Sequence, residues 1–177
     1  MPIDTPFASE KPAFTPKRVD EIGEITIKGP WRTKSHAQLS VLFAFSPNEY
    51  IQLLGDYNPE ELAKLPEDIR GIRSYTVRGI PEGNTGGIEF HRVRTEILFG
   101  LEGRVALECE DVWRGKKNFT ITPEQGIVIP PFILHTYRAE RPSGLLVVCN
   151  TLFNPENPNT HDSYSKYIFR ALQAKYR

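Results

Sequence analysis

The chain has 177 residues, with 22 basic and 22 acidic side chains, 39% hydrophobic residues and 25% charged residues. That is enough to bury one apolar core without disulfide staples and too little for two full domains. Balanced charge leaves no bulk basic field to draw in nucleic acid or an anionic membrane, and no apolar run reaches the roughly 20 residues of a membrane span, so neither partner is expected. The opening residues Met1 to Pro6 are neither basic nor apolar, so the reading is no secretory leader and a cytoplasmic location. Cys109 and Cys149 sit in separate apolar stretches with no metal-ligand spacing between them, which predicts buried, reduced thiols.

Residues 1–22 carry several prolines and little periodicity, which predicts an extended arm ahead of a single domain over 23–177. Glu24 to Lys28 alternates polar and apolar as a half-buried strand does, and Leu39 to Phe45 is a second strand candidate. Ser46-Pro47-Asn48-Glu49 then reads as a cap, a first-turn proline and a capping-box glutamate, with Gly55 as the stop. Asn58-Pro59-Glu60-Glu61, ended by Pro66, repeats that grammar, so a short helical insertion is expected near 47–65.

From about residue 70 the pattern is a run of short strands at 72–78, 87–93, 96–102, 104–109, 117–122, 126–129, 133–138 and 144–151, the rhythm of an all-β barrel or sandwich with antiparallel pairing. Glu102-Gly103-Arg104 and Arg114-Gly115-Lys116 are the hairpin candidates, and Pro123 to Gly126 is a turn before an apolar strand. Thr160 is placed to cap a C-terminal helix with Tyr164, Ile168, Ala171, Leu172 and Lys175 on one face.

The chemistry gathers in two stretches of the strand-rich region. Glu89 and His91, one residue apart, share a face if both lie on a strand, and Glu96 opens the next apolar strand five residues later. His135 follows Pro130-Pro131 among Phe132, Ile133 and Leu134, where a histidine needs a partner. Two imidazoles and two carboxylates make a mixed nitrogen and oxygen donor set that suits a divalent iron, manganese, nickel, cobalt or zinc ion. Arg92 and Arg94 alternate with the inward positions and are expected to face outward or to line the barrel rim. Arg73, Tyr75 and Tyr137 are candidates for binding a polar small-molecule substrate at the barrel mouth. His36 and His161 have no companions and read as surface histidines, and Trp31 and Trp113 read as packing residues.

Gly83, Glu89, His91, Glu96 and Gly103 fall at the spacing of the first motif of the cupin family, which the chain resembles over residues 70–152. Gly126, Pro130 and His135 resemble its second motif, with Phe132 where that motif has a glycine and Ala139 where it has an asparagine. The resemblance implies a double-stranded β-helix, the jelly-roll barrel, with His91, Glu96 and His135 around a metal and Glu89 in the place of the family's first metal-binding histidine. It also implies a homodimer, for which the proline-rich arm is suited. Ile72-Arg73-Ser74-Tyr75, Gly86-Gly87, Gln125 to Pro131 and Leu152 to Pro155 are similar to the sugar-nucleotide 3,4-ketoisomerases and related epimerases. Those isomerases use a His-x-His pair as metal-free acid and base, whereas Glu89 and Glu96 here favour a metal site.

Three functions follow as expectations. The first is isomerisation or epimerisation of a keto-sugar-like metabolite, with Glu89 as base and either a metal or a cationic group holding the enediolate oxygen. The second is a metal-dependent dioxygenase using the same four residues as ligands. The third is a non-catalytic, ligand-binding cupin.

Overall fold

The computed structural model describes residues 15–42, 67–123 and 125–176. The helical insertion expected near 47–65 and the first 14 residues of the arm lie outside them. The strands are β1 (Gly23–Thr26), β2 (Lys28–Arg32), β3 (Gln38–Val41), β4 (Arg70–Ile80), β5 (Thr85–Phe90), β6 (Glu96–Glu102), β7 (Val105–Glu110), β8 (Lys116–Ile121), β9 (Gln125–Ile129), β10 (Leu134–Ala139), β11 (Ser143–Thr151) and β12 (Tyr164–Ser165); helix α1 is Lys166–Gln173. No helix among the described residues is long and apolar enough to cross a membrane.

Two five-stranded antiparallel sheets, ordered β1-β9-β6-β11-β4 and β12-β5-β10-β7-β8, form the jelly roll, so the all-β barrel that the resemblance implies holds. Alternation along each strand builds the layers. Leu98, Leu107, Ile127, Ile129, Ile133, Leu145 and Val147 meet between the sheets as a buried core. Their neighbours Ile97, Phe99 and Val148 point the other way and pack with Ile25, Ile27 and Leu42. A third cluster places Ile168, Phe169 and Leu172 of α1 against Phe90, Phe132 and Tyr164, with the Phe169 ring edge-on to Phe90 at 5.1 Å. Those three helix residues fall on one stripe, and burying each contributes about 1.5–3 kcal/mol.

Several expectations change. The inner end of the arm is packed, because Val19 and Ile22 belong to the core between the sheets and the Val19 amide donates to Asp111 at 3.1 Å. Glu102-Gly103-Arg104 is not a hairpin, since β6 and β7 belong to different sheets. It is a crossing between layers, and Gly103 takes φ 74° there with its α-carbon so close to Pro142 and Ser143 that a β-carbon would collide. Arg114-Gly115-Lys116 does lie in a hairpin, because β7 pairs with β8. Helix α1 starts at Lys166 with Ser165 at the cap, not at Thr160, whose hydroxyl is used by Asn154 and Asn157. Tyr164 is on β12, paired with Phe90. Trp31 is 51% exposed rather than a packing residue, while Trp113 packs under the Arg18 guanidinium at 4.3 Å. Both cysteines are buried free thiols, and burial pushes the Cys109 thiol up to about 12.

Candidate active site

One end of the barrel interior is polar. Glu89 on β5 stands directly across the ladder from His135 on β10, so the two stretches that hold the chemistry meet through strand pairing. The ladder slips at this point: His135 pairs with Glu89 and Thr136 with Gly87, which leaves Ile88 as a bulge residue. Gly87 and Ile88 take φ 76° and 55°, and a β-branched residue in the left-handed region is strained by about 1–2 kcal/mol. Bulges beside a site re-aim a side chain, and here the residue re-aimed is Glu89.

Strand β5 ends at Phe90, so His91 does not share a strand face with Glu89 as alternation predicts. It enters the site from the loop 91–95, and other side chains hold that loop. The Asp162 carboxylate accepts from the backbone N–H groups of Arg92, Val93 and Arg94 at 3.0, 3.0 and 2.9 Å, and Asn150 Oδ1 accepts from Thr95 at 2.8 Å. Across the loop the Phe132 N–H donates to the His91 carbonyl at 2.7 Å. Phe132 has φ 63°. It keeps the left-handed conformation that the glycine of the second motif supplies freely, and its ring is buried in the cluster beneath α1, which offsets the strain.

Glu96 is the centre of the cluster. Its Oε2 lies 3.4 Å from His91 Nε2 and 3.5 Å from His135 Nε2, and the two imidazole rings are 5.2 Å apart. Each ring has its other nitrogen committed: His91 Nδ1 donates to the Asp162 carbonyl at 2.7 Å and His135 Nδ1 to the Ile133 carbonyl at 3.1 Å. A carbonyl only accepts, so both Nδ1 atoms carry the proton and both Nε2 atoms face the same carboxylate. Arg94 is buried, contrary to the outward or rim position expected. Its Nη1 meets Glu96 Oε1 at 3.2 Å and its Nε donates to Thr151 Oγ1 at 3.0 Å. Arg92 is buried as well. The Tyr75 hydroxyl donates to Glu96 Oε1 at 3.4 Å.

Electrostatics separates the two imidazoles. Burial would raise the Glu96 carboxyl, but His91, His135 and Arg94 hold it well below the usual carboxylate range. Burial and the Arg94 charge oppose protonation of His91, and Glu96 overcomes them, so His91 is raised above 6.5. His135 is lowered, by burial first and by the charge of His91, against the pull of Glu96. Paired titratable groups pushed in opposite directions are the mark of an acid and base division. Burial also raises the Tyr75 hydroxyl, which stays protonated.

The cluster opens into a cavity of about 470 Å³ lined by Arg73, Tyr75, Glu89, Arg94, Phe153 and His161, with Ser74, Asp162 and Ser163. Arg73 and Tyr75 thus lie where a substrate residue was expected. Tyr137 is not among the lining residues: it packs against the apolar core, with its ring over Gly86, where a β-carbon would strike it. His161 is no isolated surface histidine, since it stacks on Phe153 at 5.1 Å. The Arg73 guanidinium lies 5.2 Å from both the Tyr75 and Phe153 rings. A larger groove of about 740 Å³ crosses β5, β7 and β10, lined by Glu82, Thr85, Glu108, Thr136, Arg138 and Glu140. It contains no residue in contact with Glu96, whereas the smaller cavity is lined by Tyr75 and Arg94, which both reach that carboxylate, and by Glu89, so the chemistry belongs to the smaller cavity. Sequence reading did not find Arg94, Thr151 or Asp162. Asp162 carries a weak signal as an acidic residue just ahead of a helix, but nothing in the chain ties it to His91, 71 residues away.

A family model described as "FdtA: WxcM-like, C-terminal" matches residues 58–169. Among solved structures, the chain is similar to the TDP-fucose-3,4-ketoisomerase WlaRA from Campylobacter jejuni, at 14% identity and a TM-score of 0.58, covering 89% of this chain and 96% of that one. It is similar to the sugar 3,4-ketoisomerase QdtA from Thermoanaerobacterium thermosaccharolyticum in complex with TDP, at 15% identity, TM-score 0.58 and coverage of 90% and 99%. The dTDP-6-deoxy-D-glucose-3,5-epimerase RmlC from Legionella pneumophila matches at 17% identity, TM-score 0.56 and coverage of 84% and 74%. No curated protein matches the chain. At these identities the structural matches establish the jelly-roll fold.

Proposed function

Since the chain belongs to the FdtA family, WxcM-like C-terminal, we propose that it isomerises or epimerises a nucleotide-linked keto-sugar. The observation that carries this reading is the convergence of His91 Nε2 and His135 Nε2 on one carboxylate oxygen, beside Glu89, which itself lines a cavity. Moving a ketone to the adjacent carbon needs one group to take a proton from carbon and another to give one to oxygen, in that order and then in reverse.

Glu89 takes the proton from the carbon next to the carbonyl. The C–H electron pair becomes the C=C bond of an enediol, and the carbonyl oxygen receives a proton from His91. The neighbouring hydroxyl then loses its proton to the neutral His135, a carbonyl forms there, and the protonated Glu89 returns its proton to the former carbonyl carbon. The product is an isomer of the substrate; the proton gained by His135 is released to solvent and His91 takes one up in its place, so no co-reactant is consumed. Tyr75 and the Arg73, Phe153 and His161 rim suit the remainder of the substrate: a guanidinium against two aromatic rings offers charge for phosphate and flat faces for a base or sugar.

The test is to incubate the purified protein in D₂O with a TDP-linked 4-keto-6-deoxyhexose and follow it by NMR. The expected result is deuterium at a carbon adjacent to the ketone, with the carbonyl signal moving when isomerisation completes. A wild-type protein that exchanges no carbon-bound proton in any such substrate sinks the reading.

The donor set also fits a divalent metal. Ligand atoms of Glu89, His91 and His135 all lie within 4.8 Å of one another, and His91 Nε2 has no well-formed hydrogen bond, its contact with Glu96 being long at 3.4 Å. Both imidazoles also have Nδ1–H on a backbone carbonyl, as metal-bound histidines do. Those three residues, with Glu96 beside them, would hold the ion, which supplies Lewis-acid polarisation of the substrate carbonyl. Elemental analysis of the native protein decides it: about one equivalent of iron, manganese, nickel, cobalt or zinc per chain supports the metal reading, and a fully active protein without one excludes it.

A further inference from the structure

We infer that Arg94 is the electrophile of this site: its guanidinium holds the carbonyl oxygen of the substrate as negative charge builds on it, before His91 delivers its proton. The inference rests on the keto-sugar reading above and adds a residue that the motif spacing did not single out. Arg94 lines the cavity yet is only 4% exposed, and its guanidinium is anchored at two nitrogens while its backbone is tied to Asp162. Nε donates to Thr151 Oγ1, Nη1 meets Glu96 Oε1, and the backbone N–H donates to Asp162; a longer contact of 3.5 Å joins Nη1 to Ser163.

A guanidinium carries five N–H donors, and among the described residues no oxygen accepts from Nη2. A buried arginine that serves only as a counter-ion is expected to commit its donors to protein groups. Here Nε and Nη1 are anchored and Nη2, with its two N–H groups, is left for something in the cavity. The cation is also preorganised. It needs no reorganisation when charge develops, which is the condition under which a donor aimed at an oxyanion is most effective. Glu96 does not cancel it, because that carboxylate is shared with two imidazoles on its other oxygen. Arg73, by contrast, is at the mouth and partly exposed, with aromatic rings rather than the His91, Glu96 and His135 cluster around it.

The test compares wild type with Arg94→Met and Arg94→Lys in the deuterium-exchange assay. Arg94→Met is expected to lower kcat about 10²–10³-fold while KM moves less than about threefold, the split that marks an interaction made in the transition state. Arg94→Lys recovers part of the loss, since it keeps the charge but not the fork. A kcat in Arg94→Met within about threefold of wild type, or a loss carried wholly by KM, overturns the inference. Should Arg94→Met fail to fold, Thr151→Val removes the Nε anchor instead and is expected to lower kcat about tenfold without moving KM; an unchanged kcat there overturns it equally.

A second measurement does not depend on the substrate. Calorimetry with oxalate, a planar mimic of a cis-enediolate, on EDTA-dialysed protein is expected to show binding that Arg94→Met weakens at least tenfold, on the order of one charge-assisted hydrogen bond. Failure of wild type to turn over keto-sugars removes the functional reading while this arm still decides Arg94. Equal oxalate binding by both proteins, no binding by either, or binding that appears only when metal is restored overturns the assignment.

Discussion

The two ends of the barrel interior are built by the same strands and differ by two residues along each. Strand β6 carries Glu96 and then Leu98, β4 carries Tyr75 and then Val77, and β10 carries His135 and then Tyr137; Leu98, Val77 and Tyr137 join the apolar core while Tyr75 and His135 gather on Glu96. The same strands therefore support two unlike environments. The apolar end gains free energy from every side chain it buries. The polar end must hold Arg94, Glu96, His91 and His135 away from water, where charges are tolerated only when paired and hydrogen-bonded. Stability and chemistry are thus separable along a single strand.

Substitutions at the two ends put that separation to the test. Glu89→Gln, at the polar end, is expected to lower turnover about 10²–10⁴-fold while the melting temperature holds; turnover that survives would remove Glu89 as the base. Leu107→Ala, at the apolar end and fully buried, is expected to cost about 2–5 kcal/mol in denaturant unfolding with turnover per folded molecule unchanged. A Leu107 variant that lost activity in step with stability would show that the ends are coupled.

Asp162→Asn addresses the seam between the regions. It keeps the shape but exchanges a carboxylate that accepts three backbone N–H groups for an amide with one accepting oxygen, a cost of about 1–3 kcal/mol. Turnover should fall as well, because loop 91–95 carries His91 and Arg94. A loss of stability with full activity would mean that the loop tolerates being freed.

The pH dependence around neutrality should come chiefly from the polar end. His91 is raised, so its contribution is complete below 6.5 and is lost as pH climbs through its folded value. His135 and Glu96 are lowered, so theirs are present above about 6.5 and 4.5 respectively and are lost as acid approaches their folded values. Unfolding measured across pH should therefore weaken on both sides, and His91→Gln should flatten the alkaline side. Leu107→Ala should move the whole curve down without changing its shape. The smallest effect is at the bulge: Ile88→Gly relieves a strained φ of 55° and should raise stability by no more than about 1 kcal/mol, since glycine loses part of the gain to backbone entropy. It should also loosen the aim of Glu89, seen as a lower kcat.

Much of the barrel was legible because period-two alternation and turn residues are local properties. The strands expected at 96–102, 104–109, 126–129 and 144–151 match β6, β7, β9 and β11 to within about a residue. The convergence of Glu89, His91, Glu96 and His135 was legible too, since motif spacing records which strand ends share a barrel mouth. What failed did so where long-range partners decide. Arg94 follows an outward-facing pattern only if loop 91–95 continues the strand, and the Asp162 carboxylate prevents that. Thr160 has the chemistry of a helix cap, but its hydroxyl is taken by Asn154 and Asn157, so the helix waits for Ser165.

The amino-acid sequence by itself determined an antiparallel barrel with carboxylates and imidazoles at its mouth, because the side-chain period and the placement of turns are written in neighbouring residues. Only the tertiary structure decided how those groups divide their work. Which imidazole nitrogen is free, which imidazole is raised and which lowered, and that a buried arginine shares the site all depend on backbone carbonyls and side chains tens of residues away. No local pattern encodes those contacts.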